Sequence, residues 1–118
     1  MSNVIDFISM KKRKHEEQLF NLFRKANSFQ NREQIDKLVD EKKLTVEDHK
    51  RFLAFLAHLQ AKNIEPTELF QSVLTLSKYQ FEQRYPFNWF TVVQNCLTFL
   101  TIIKEKNHKQ YERFLSLR

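Results

Sequence analysis

The chain contains no glycine. A sequence of 118 residues with ordinary composition would carry roughly eight. The absence excludes several site architectures at once. There is no phosphate loop, no dinucleotide-binding turn, no nucleophile elbow and no EF-hand loop, because each needs backbone with φ > 0 or a close approach to a ligand. Tight Asn-Gly and Asp-Gly hairpins are excluded too. Two prolines and no glycine suit helices joined by short polar turns. They do not suit an all-β or doubly wound fold. There is a single cysteine, Cys96, which cannot form an internal disulfide, so nothing points to secretion. Near the start, Val4, Ile5, Phe7, Ile8 and Met10 are interrupted by Asp6. The basic run follows them, whereas in a signal peptide it would precede them. The expectation is a cytoplasmic protein.

Uninterrupted apolar runs are also missing. Residues 85–103 lack charge and approach the length of a bilayer span. Gln94 and Asn95 lie at their middle, with Asn88, Thr91, Thr98 and Thr101 around them. Hydrocarbon offers no partners to such groups. A helix buried inside the domain is the better expectation, and no membrane association is expected.

What is present is charge and aromatic surface. Twenty Lys and Arg against fourteen Asp and Glu give +6. The excess lies at the two ends. Residues 1–51 and 104–118 are each net +3, while residues 52–103 are neutral. A basic exterior favours acidic partners, nucleic acid among them.

Helical signals recur along the chain. A first helix is expected over about residues 4–27, with a candidate break near Met10, Asn3 as cap and Leu19, Phe20, Leu22, Phe23 and Ala26 on one face. Asn31, with Gln34 as capping-box partner, starts a short helix with Ile35, Leu38 and Val39 inside, ending near Lys43. Thr45 and Asp48 cap the next, which carries Phe52, Leu53, Phe55, Leu56 and Leu59 to about Lys62. Pro66 opens a fourth, stapled by Ile64 and Leu69, with apolar positions continuing to Tyr79 and Phe81. Tyr85-Pro86 breaks the chain. Asn88 caps a long helix with Trp89, Val93, Cys96, Leu100 and Ile103 at helical spacing. Tyr111, Phe114 and Leu115 either continue it or form a separate short helix after Asn107. The expectation is one all-α domain over residues 1–118. It is a helical bundle of about five helices with the long C-terminal helix central, and residues 1–10 are a candidate for a loosely packed leading segment.

Candidate functional groups are few. Lys11, Lys12, Arg13 and Lys14 form the candidate phosphate contacts. The simpler reading is a solvated helix face paired to Glu16 and Glu17. Lys42, Lys43, Lys50, Arg51, Lys104, Lys106, Lys109 and Arg113 join that cluster only if the fold gathers them. Tyr85, Phe87 and Trp89, at the break around Pro86, form the candidate partner surface. Glu105 and His108 have E-x-x-H spacing, but di-iron bundles need two such motifs and two further glutamates. Glu33, Asp36 and Asp40 read as the wet side of a short helix. Cys96 lies among aliphatic residues, where a thiol stays protonated and inert. No catalytic, cofactor or metal site is expected.

The sequence thus points to a small non-enzymatic regulatory or adaptor protein acting on another protein. The alternative is a nucleic-acid-associated protein using its basic ends. The two differ in their dependence on salt. Phosphate binding predicts that the logarithm of affinity for mixed-sequence DNA or RNA falls linearly with the logarithm of salt, and that changing Lys11, Lys12, Arg13 and Lys14 to Gln flattens the slope. An adaptor shows no detectable binding at about 0.15 M salt, with or without those changes.

Overall fold

The computed structural model describes residues 28–116, and these residues are all-α. The expected first helix and Lys11 to Lys14 lie outside the described residues. Six helices follow in order: α1 (Arg32–Glu41), α2 (Val46–Ala61), α3 (Pro66–Thr75), α4 (Lys78–Arg84), α5 (Trp89–Lys106) and α6 (His108–Ser116). No helix among the described residues is long and apolar enough to cross a membrane.

Each helix starts where a polar side chain satisfies a free backbone N–H. Asn31 Oδ1 accepts from Gln34 N at 3.1 Å. Thr45 and Asp48 form a complete box, with Asp48 N donating to Thr45 Oγ1 at 3.1 Å and Thr45 N to Asp48 Oδ2 at 3.0 Å. Asn88 Oδ1 accepts from Thr91 N at 3.1 Å.

The expected helix running from Pro66 to Phe81 is two helices. Leu76 is extended (φ −103°, ψ 151°), and Ser77 and Gln80 build a second reciprocal capping box that opens α4. The S-x-x-Q signature is present in the sequence, but the apolar spacing runs on through it. Ser28 bridges to Ser77 and Gln30 Nε2 donates to the Thr75 carbonyl, so the incoming chain occupies this break. A break also separates α5 from α6. Asn107 is extended and its Oδ1 accepts from Gln110 N at 3.2 Å. The last apolar positions therefore form a separate helix.

All the other helices pack on α5. Trp89, Val92, Val93, Cys96, Leu97, Leu100 and Ile103 are buried along it. Its buried asparagine and threonine side chains turn back onto their own helix. Asn95 Nδ2, Thr98 Oγ1 and Thr101 Oγ1 donate to the carbonyls of Thr91, Gln94 and Leu97 at 2.9, 3.3 and 2.8 Å. This removes the penalty of burying them without partners. Aromatic rings join α5 to its neighbours. Phe99 stacks on Phe70 at 5.1 Å and meets Phe114 edge-on at 5.1 Å, while Phe70 packs on Phe52 and Phe55.

A polar clasp holds α1 to the end of α5 and to α6. Tyr111, fully buried, donates from its hydroxyl to Asp36 Oδ1 at 2.7 Å. Arg32 reaches Asp36 through Nε at 3.0 Å and Glu112 through Nη2 at 2.7 Å. Lys104 pairs with Asp40 and lies 5.0 Å over the Tyr111 ring. Burial pushes the Asp36 carboxyl up, but Tyr111 and Arg32 outweigh it and hold it below its ordinary value. Glu33 and Asp40 are exposed, as the wet side of α1 should be, whereas Asp36 is drawn into the clasp.

Without glycine, the turn after α2 falls to asparagine. Asn63 has φ 56°, in the left-handed region. Ile64 N donates to Leu59 O at 2.9 Å and Asn63 N to Gln60 O at 3.1 Å. This is a Schellman closure, with Ile64 and Leu59 supplying its apolar contact. A β-carbon costs about 1–2 kcal/mol in this region, and Asn tolerates it better than most residues. Asn63→Ala is therefore expected to lower the unfolding free energy by about 1 kcal/mol, while Asn63→Gly leaves it unchanged or raises it. Urea denaturation of the three proteins checks this. Equal losses for both variants would rule out the backbone explanation.

Candidate functional site

The described surface that stands out begins at the α1–α2 junction. Lys42 closes α1 with its amide donating to Leu38 O at 2.9 Å. Its side chain turns inward, with Nζ 3.5 Å from Asp48 Oδ2, and both side chains are about nine-tenths buried. Arg51 Nη1 is 3.6 Å from the other Asp48 oxygen. Burial pushes the Asp48 carboxyl up, but the Thr45 amide, the Lys42 charge and the Thr45 hydroxyl prevail and hold it below its ordinary value of 3.8. Asp48 thus fixes the cap, the junction and the direction of Lys42 together.

With Lys42 engaged, Lys43 points outward and makes no ion pair among the described residues. An open groove of about 480 Å³ lies here, lined by Lys42, Lys43, Leu44, His49, Ile102, Glu105 and Lys106. Half-buried Leu44 and Ile102 supply its apolar part. His49 Nδ1 lies 3.0 Å from the Thr45 carbonyl oxygen, which can only accept, so this nitrogen donates and the ring is fixed beside the groove. The antiparallel packing of α2 on α5 brings these residues together. Phe52 meets Phe99, and one turn further His49 lines the same groove as Ile102 and Lys106. The fold therefore gathers Lys42, Lys43 and Lys106, three of the scattered basic residues, around one groove.

His49 also belongs to the outward face of α2. Val46, His49 and Leu53 follow at i, i+3 and i+7, with Lys50 between them and Ala57 one turn beyond. Such positions share one side of a helix. Val46 is 69% and Leu53 64% exposed, and Ala54, Ala57 and Ala61 are exposed as well. Leu53 was expected inside. It lies on the opposite face from Phe52, Phe55 and Leu59, and the core contacts only their side of α2.

The candidate partner surface at the Pro86 break needs correction. Trp89 is completely buried, because Asn88 caps α5 and turns the next side chain into the core. Tyr85 is half-buried and its hydroxyl lies 2.9 Å from Ser72 Oγ. Phe87 is half-buried against Phe55, with His58 at its edge and Lys62 Nζ 5.8 Å over its ring. These three residues do not form an exposed aromatic cluster.

Glu105 and His108 lie on opposite sides of the Asn107 break, so they share no continuous helix face. Among the described residues no three His, Cys, Asp or Glu side chains are grouped to hold a metal. Cys96 is fully buried, and burial pushes its thiol far above its ordinary value. Comparison with protein-family models, curated proteins and solved structures finds no match to this chain.

The Asp48 arrangement sets a pH dependence. A carboxylate whose folded pKa is depressed contributes stability above its unfolded value and loses it as pH falls through the folded one. Asp48→Asn is therefore expected to cost about 1 kcal/mol at neutral pH. The gap to wild type should close as pH falls below 3.8. Unfolding titrations at a series of pH values check it, and a gap independent of pH would exclude the ionised cap as its source.

Proposed function

We propose that this chain is a non-enzymatic protein-binding module of the cytoplasm, a regulatory or adaptor protein that holds its partner on the outward face of α2. One observation carries the reading. Val46 and Leu53, at 69% and 64% exposure, stand on the same face of a helix whose opposite side is packed into the core. Alanines at 54, 57 and 61 keep that face low, so a second helix could approach closely. Amphipathic helices dock on apolar surfaces through side chains at i, i+3, i+4 and i+7 spacing, which is the spacing of this stripe.

The alternative, phosphate binding through the basic ends, has less support. Lys104 is paired with Asp40, Arg32 with Asp36 and Glu112, and Lys42 with Asp48. These cations are occupied by carboxylates within the chain. Lys11, Lys12, Arg13 and Lys14 lie outside the described residues.

Leu53→Glu and Val46→Glu test the reading. Both sites are exposed, so each change should move stability by no more than about 0.5 kcal/mol. Complexes isolated from the native source with wild-type protein should yield a partner that rebinds after purification of both components. Leu53→Glu should weaken that rebinding by at least about tenfold, since an interface anchor is typically worth more than 1 kcal/mol. A purified partner that binds wild type and both variants equally would overturn this surface.

A further inference from the structure

We infer that the partner segment is an acidic amphipathic helix, whose apolar side lies on Val46, Leu53 and Ala57 and whose carboxylates enter the groove rimmed by Lys43, His49 and Lys106. The inference rests on the proposed function and adds the chemistry of the partner.

Its basis is that two surface features share residues and charge. The apolar stripe of α2 and the groove meet at His49, which lies between Val46 and Leu53 on the helix and also lines the groove. A segment lying along the stripe therefore ends over the groove. Along the outward and flanking positions of α2 stands Lys50, with Lys62 just past its end, against the single carboxylate of Glu47. Asp48 is turned inward, where Lys42 and Arg51 hold it. At the groove, Lys43 and Lys106 make no ion pair among the described residues, and Glu105 is the one carboxylate lining it.

This balance decides between occupants. A second copy of the chain, docked through the same face, would set Lys50 and its basic neighbours against their own equivalents. Like charges across an interface are unfavourable. A basic segment meets the same repulsion. Nucleic acid has the right charge, but its backbone offers no row of apolar groups to cover Val46 and Leu53. A helix with apolar residues on one side and Asp or Glu beside them satisfies both features, and its charge also speeds encounter with the basic face.

The full chain, isotopically labelled, can be titrated with three synthetic amphipathic helices of about 16 residues, the length of α2. All three keep the same leucines. Their polar positions are Glu in one, Gln in the second and Lys in the third. The Glu peptide should shift the amide resonances of α2 together with those of Lys43 and Lys106. It should bind at least about tenfold more tightly than the Gln peptide, with the Lys peptide weaker still. Leu53→Glu should abolish binding of the Glu peptide. Lys43→Glu with Lys106→Glu should reduce it about tenfold and flatten its salt dependence, while leaving the Gln peptide unaffected.

Other outcomes overturn the inference in distinguishable ways. Equal binding of the three peptides, all lost in Leu53→Glu, would keep the docking face and remove the acidic partner. Perturbation elsewhere on the molecule, or no binding of any peptide, would remove this occupant, leaving the docking face to the test of the native partner. A dimer by light scattering that Leu53→Glu dissociates would assign the face to a second copy. Binding of mixed-sequence duplex at about 0.15 M salt, competing with the Glu peptide, would assign the groove to phosphate.

Discussion

The helix α5 must be buried on almost all sides, and the arrangement of the other helices follows from that requirement. An apolar helix of 18 residues cannot be covered by one neighbour. α3 and α6 bring Phe70 and Phe114 to Phe99, α2 brings Phe52, and α1 and α4 cover what remains. Burial of this kind is tolerable only because Asn95, Thr98 and Thr101 hydrogen-bond to carbonyls of their own helix. These polar residues, which made residues 85–103 unsuitable for hydrocarbon, are accommodated in a protein core without needing partners from other helices.

Glycine's absence has a second consequence, in how the helices end. Short helices need either a left-handed residue or an extended break to stop. Asn63 supplies the left-handed residue after α2. Elsewhere the chain stops by extending. Lys42, Leu76, Tyr85 and Asn107 all leave their helices with ψ between 101° and 151°. The next helix begins within four residues in each case, and a polar cap starts it. Such junctions are short and well determined, and they hold neighbouring side chains in fixed directions. Asp48 is the clearest instance, because it caps α2 and turns Lys42 inward at once.

Much of this was legible in the residues. Local signals acted locally: Thr45 with Asp48, and Asn88, cap their helices where the sequence places them. The helix expected to run on from Pro66 divides at Leu76 because a local capping box overrides the continuing apolar periodicity. Ser77 and Gln80 carried the decisive information. What was not legible was the third dimension. Trp89 and Leu53 are both large apolar residues near helix N-terminal halves, and only the position of α5 buries one and leaves the other in solvent. Asp36 reads as solvated until α6 brings Tyr111 to it across 75 positions of sequence. The groove was illegible for the same reason, since Lys43 and Lys106 are neighbours only through the antiparallel packing of α2 on α5.

That packing also explains why the exposed apolar stripe occurs beside cations that make no ion pair among the described residues. The end of the bundle where α1 joins α2 and α5 joins α6 contains many charges, and most are neutralised in pairs: Lys104 with Asp40, Lys42 with Asp48, Arg32 with Asp36 and Glu112. The pairs lie partly exposed where α1 meets α5 and α6, or buried at the cap of α2. A surface pair contributes little to stability, so their main effect is directional. They engage Asp36, Asp40, Asp48 and Glu112 within the fold. Glu105 is the one carboxylate lining the groove, while Lys43 and Lys106 line it with no ion pair among the described residues. The positive character of the outer face is thus a product of the internal pairing. The proposed acidic helix, approaching along α2, would meet apolar side chains first and, at their border, lysines with no ion pair among the described residues, which is the order in which it presents its own groups.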